Sequence, residues 1–342
     1  MAVTDLGSPS FPMHPLHGIH EPTEATPARR AGSARRTTSI DMTRDTGSLD
    51  PVYLVGRGRD LLTAPDGSAT ELGTAGLRAT VDMVPRVVQH IETEPPVAGP
   101  ARLAGAPAMS GFRAAVDKVA PELRRMRDLR YTLLDDVPVA TLISGHALSA
   151  SGMLGDAAKS GYLPLADQCA GFVTGGLLLT SFEAGDPVVV TGPVAPNLDD
   201  PNDPLAWHDM PRLPLHGMRR RRRLDVYRSA DNRNVEIDAM FRDTYVRADG
   251  AETIIHEYTL AAAVDAESGV VVQSQATPRV LPWQECPGAV ASAARIVGMT
   301  LTQLHFRVRK EMFGTSTCTH LNDLLRSLAD AKALIPQLRT LD

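Results

Sequence analysis

Two separated stretches of the chain carry alternating polar and apolar positions. In the downstream stretch Val235, Ile237, Ala239 and Phe241 alternate with polar residues, the period of a half-buried strand. Ile254, His256, Tyr258, Leu260, Ala262 and Val264 share one face of a second strand. Asp265-Ala-Glu-Ser-Gly269 reads as a turn and Val270 to Ala276 as a third strand, with Pro278 and Pro282 ending the sheet. Helical signals follow. Ala289 to Val297 is closed by Gly298, and Thr302 to Phe313 by Gly314. Leu321, Leu324, Leu325, Leu328 and Ala331 then form an apolar stripe that Pro336 stops. Strands first and helices afterwards predict an α+β fold.

Upstream, Thr37 to Asp41, Val52 to Val55 and Leu77 to Asp82 are strand candidates. Their surroundings recur. Arg59-Asp60, Asp66-Gly67, Thr70, Leu77, Ala79 and Val81-Asp82 return 183 positions later as Arg242-Asp243, Asp249-Gly250, Thr253, Leu260, Ala262 and Val264-Asp265. The shared order predicts a tandem duplication of a unit with a three-stranded antiparallel sheet followed by helices. The expected division is a flexible tail over 1–27, a degenerate first copy over 28–143, a connecting segment over 144–212 and a second copy over 213–338.

Composition narrows the classes. Of 342 residues 43% are hydrophobic, 22% charged and only 4% aromatic, so a soluble core built from Ala, Val, Leu and Ile is expected. A net charge of −5 gives no reason to expect nucleic acid as a partner. The longest apolar stretch, Gly171 to Phe182, is too short for a membrane span. Three cysteines and no apolar leader within Met1 to Gly18 predict reduced thiols and a cytoplasmic protein. The run Arg219 to Arg223 reads as a solvated edge strand that resists aggregation, with an anionic ligand as the competing reading.

Reactive side chains gather in the second copy. Cys318 and His320 open the last helical stripe, where backbone N–H groups favour a thiolate of lowered pKa. Cys286 follows the third strand, and His256 lies on the inward face of the second. A β-then-α unit brings these places to one end of its sheet. Two thiolates and two imidazoles suit zinc or another thiophilic metal, so His256, Cys286, Cys318 and His320 are the expected ligands, with Asp243 and Glu257 around them. The first copy places Gly73-Thr74 where the second has His256-Glu257, and has no cysteine. One functional and one structural copy are expected.

Glu236-Ile-Asp238, Arg242-Asp243, Ile255-His256-Glu257, Pro282 to Cys286, Gly298, Phe306 and Gly314 to Leu325 resemble a bacterial family of unknown function, DUF 2889, over roughly Pro214 to Leu338. Thr317 stands where that family usually has glycine before Cys-Thr-His-Leu. A more distant likeness is to iron–sulfur scaffold proteins of the NifU and SufE type. It implies His256 in place of a first cysteine, Cys286 as a second, and Cys318-Thr-His320 where a His-Cys pair stands. The leading expectation is a zinc-binding protein of scaffold or carrier type. Two competitors stand beside it. One is an enzyme using Cys318 or Cys286 as nucleophile, with His256 or His320 as base, on an acyl or sulfur-bearing small molecule. The other is a non-catalytic module that binds a protein partner.

Overall fold

The computed structural model of the chain describes residues 18–152, 165–184, 190 and 192–341. Eight strands form one antiparallel sheet in the order β4-β3-β2-β1-β5-β6-β7-β8. The first meander is β1 (Ser33–Thr43), β2 (Val52–Thr63), β3 (Ala69–Asp82) and β4 (Val87–Glu94). The second is β5 (Met218–Arg228), β6 (Asn234–Val246), β7 (Glu252–Asp265) and β8 (Val271–Val280). The expected α+β class stands, but each repeat contributes four strands, not three, and the two sets fuse into one sheet.

The 183-position recurrence maps onto backbone geometry. It carries the bounds of β3 onto those of β7, and the register shift after Asp60 onto the shift after Asp243. The first strands of the two sets, β1 and β5, pair antiparallel with Thr38 opposite Arg222. That seam has a local two-fold character. Arg35 grips Asp225 at 2.6 Å, and Arg219 grips Asp41 at 2.6 Å from the other side.

β5 is therefore a central strand, and the reading of Arg219 to Arg223 as a solvated edge is corrected: each of the five is only 1–8% exposed. Alternation sends Arg220 and Arg222 to one face and Arg219, Arg221 and Arg223 to the other. Carboxylates reach four of them, and Arg221 lies against the Trp207 ring instead. Asp136 takes Arg222 at 2.6 Å, Asp243 takes Arg220 at 3.0 Å and Asp238 takes Arg223 at 2.7 Å. Buried charges persist only when paired and hydrogen-bonded in this way.

Helices cover one face. α1 (Phe112–Val119), α2 (Pro121–Met126), α3 (Leu129–Ile143) and α4 (Gly145–Ala150) follow the first meander. After α5 (Leu177–Glu183) and the second meander, a 3-10 segment Cys286–Ile296 precedes α6 (Leu301–Glu311), α7 (Thr319–Ser327) and α8 (Ala331–Leu338). A capping box of Thr300 and Gln303 starts α6. α8 packs across β1 and β5, so the last helix of the second half spans the seam. No helix among the described residues is long and apolar enough to cross a membrane.

The opposite face carries Arg219, Arg221 and Arg223, with Arg35 and Arg242 beside them, and is roofed by irregular chain. Residues 18–27, expected as part of a flexible tail, run along it: His20 bridges Val280, the Thr23 N–H donates to Glu257, and Thr26 bonds Leu198. Residues 1–17 of that tail lie outside the described residues. In the connecting segment Trp207 stacks on Arg221, and His208 reaches Thr37 and Ser39.

Candidate metal centre

On the helix face of the second half, Asp243, His256 and His320 converge. β6 supplies Asp243, β7 supplies His256 directly opposite it, and α7 supplies His320 from its first turn. One ligand atom from each lies within 4.8 Å of the other two. The imidazoles stack with centroids 3.7 Å apart and planes 17° from parallel. Phe241, two residues before Asp243 and so on the same face, continues the stack 6.2 Å from His320. Asp243 and His320 are buried, and His256 partly so, which leaves the group an edge toward solvent.

Charge around the group is organised by Arg220. Its Nη1 donates to both Asp243 oxygens, at 3.1 and 3.0 Å, and its guanidinium lies 4.6 Å over the Phe241 ring. Burial raises the Asp243 carboxyl to about 7, outweighing the pull of Arg220 and Arg222, and nearby Asp136 and Asp323 add to the rise. Burial, with Arg220 beside it, lowers His320 to about 3. Burial also holds His256 well below the usual imidazole value, with His320 and Arg220 contributing. Both rings are therefore neutral near pH 7 and keep a lone pair for a ligand. His256 Nδ1 and His320 Nε2 are buried and without a hydrogen-bond partner. A buried polar atom left unpaired costs about 1–3 kcal/mol, so two in one cluster need an explanation.

Of the residues expected from sequence, His256 and His320 come together. Asp243, expected outside the ligand set, belongs within the group. Glu257 does not surround it. Consecutive strand residues face opposite sides, and Glu257 lies on the arginine face, bound by Arg242 at 2.6 Å. Cys286 and Cys318 are not members of the group. They pack with Cys169 and Tyr258 in the apolar layer between β7, α7 and the 3-10 segment. The expected lowering of the Cys318 pKa is reversed: burial pushes this thiol up to about 12 although it precedes α7. Burial likewise holds Cys286 well above the usual thiol value. His146, which sequence reading passed over, packs edge-on against Tyr245, two residues beyond Asp243 on the same strand.

Residues 218–334 match the model of a family described as protein of unknown function (DUF2889). The match opens on Met218, the first residue of β5, and ends within α8, so it covers the whole His–Asp group. No curated protein matches the chain. No solved structure matches it either, and the likeness to NifU and SufE scaffolds finds no support there.

Proposed function

We propose that the second half binds one divalent transition metal, zinc first among them, through Asp243, His256 and His320. The observation that carries this reading is the convergence of Asp243, His256 and His320, each offering a ligand atom within 4.8 Å of the other two, while one nitrogen of each imidazole is buried without a partner. Two neutral imidazoles and one carboxylate oxygen suit zinc and related first-row metals. Three protein donors leave a coordination position for water or a small ligand, in keeping with a carrier or with metal-assisted chemistry. Arg220 keeps Asp243 oriented from the strand below, as outer partners of metal ligands commonly do. Cys286 and Cys318 lie outside the group within ligand reach, which favours this donor set over the four-ligand set that includes them, and their burial gives a thiol nucleophile little support.

The test is elemental analysis and zinc titration of chain purified without chelators. About one equivalent is expected, with affinity reduced roughly 10- to 100-fold or more in His256→Ala and in His320→Ala. The Cys286→Ala/Cys318→Ala double variant is expected to retain the metal. Failure of the wild-type chain to take up zinc, or full retention by both histidine variants, would refute the assignment.

A further inference from the structure

The first half has an opening where the second half has its imidazoles. Asp60 stands opposite Gly73 on the neighbouring strand as Asp243 stands opposite His256. Arg36 grips Asp60 through two bonds of 2.7 Å, the counterpart of Arg220 on Asp243. Gly73 brings no side chain, and a Cβ there would meet nothing within 4 Å. A pocket of about 540 Å³ occupies the space, walled by β3, by the junction of α2 and α3, and by α8 from the other half. That volume falls within the range of roughly 300 to 1,000 Å³ typical of small-molecule sites.

The lining carries positive charge. Arg127, held at a left-handed φ of 54° where α2 ends, is 5% exposed. Its Nε and Nη2 bind Asp330 at 3.0 and 2.8 Å, while Nη1 is buried and has no partner. Lys332 adds an exposed ammonium from α8. The carboxylates of the wall are already engaged: Asp60 by Arg36, and Asp128 by Arg130 at 2.8 and 2.7 Å. Leu72, Met126 and Leu129 supply apolar surface beside these charges. A ligand that satisfies such a pocket brings negative acceptor oxygens and an apolar body.

We infer that this pocket binds a small organic anion, a carboxylate or phosphate ester, whose head group is received by the exposed Lys332, with the Arg127 guanidinium in the same wall adding positive charge. The site is distinct from the metal centre, and the inference does not depend on it. The test is calorimetric titration of the full chain with hexyl phosphate, hexanoate and hexylammonium at one ionic strength. Saturable one-to-one binding is expected for at least one anion and none for hexylammonium; the anion that binds tighter identifies the head group. Gly73→Leu, which fills open space, and Lys332→Ala, at an exposed position, should each weaken binding tenfold or more, while His256→Ala should not. The inference is overturned if neither anion saturates, if hexylammonium binds as well, or if either pocket variant keeps full affinity.

Discussion

On the arginine face, His208 sits between the Thr37 and Ser39 hydroxyls at 2.9 and 2.8 Å. Burial first, and then Arg59, Arg221, Arg219 and Arg57, lower its pKa to about 3. The folded value lies below the unfolded one of roughly 6.5, so stability is full above that pH and is lost as pH falls toward the folded value. Between about pH 6.5 and 4.5 this group alone should cost on the order of 2 kcal/mol, at about 1.4 kcal/mol per unit. His208→Gln is expected to flatten that part of the profile in urea unfolding curves; a variant with the wild-type slope would remove His208 as its source. Asp135 and Asp323 behave oppositely in range. Burial alone would raise them, but Arg326 and Arg113 hold both carboxyls well below the usual carboxylate value, so their contribution survives to lower pH.

Single residues also explain how far the site could be read in advance. His256 and His320 were legible because period-two alternation put one inside a strand face and a helix start placed the other. Depth was not legible. Whether Cys318 lies in water or under an apolar layer depends on Cys169, Tyr258 and the 3-10 segment, which are distant in sequence. At Cys318 desolvation, a property of packing, therefore outweighs the helix macrodipole.

Among the elements, β5 was the hardest to place. Five arginines in a row have the same alternation whether one face meets solvent or both meet carboxylates. The deciding partners come from β1, β6 and α3, none of them local. β4 went unseen for a different reason. A register shift at Thr80/Val81 accompanies buried positions at Val88, Ile91 and Thr93, which breaks the two-residue period. The pairing of Arg222 with Asp136 is a test at this scale. Arg222→Met leaves the Asp136 carboxylate buried without its bidentate partner, so a loss of roughly 3–5 kcal/mol is expected from denaturant unfolding. Asp136→Asn combined with Arg222→Met should recover part of that loss. No recovery would argue that the cost lies in packing instead of uncompensated charge.

The whole molecule is less divisible than its repeat implies. The family match begins at β5, yet β5 hydrogen-bonds along its length to β1 and is crossed by α8. A fragment 213–342 would present an open strand edge of unpaired backbone and would strand Arg219 and Arg222, whose carboxylates Asp41 and Asp136 lie in the first half. It is expected to be insoluble or self-associated when produced alone, and to co-purify with 18–152 when the two are produced together. A soluble, monomeric 213–342 in size-exclusion chromatography would show that the second half folds independently.

The seam that joins the halves also holds the proposed metal and anion sites apart. From Gly73 on β3 to His256 on β7 the sheet is crossed in five steps. At about 4.8 Å per step, that is about 24 Å. The Debye length at physiological ionic strength is about 8 Å, so an anion at one end does not screen or reinforce a cation at the other through solvent. Communication between them through the fold would run by β1, β5, the helix lying over both and the buried ion pairs that join the halves. Without such coupling, the two proposed sites would fill independently, each according to its own ligand's concentration.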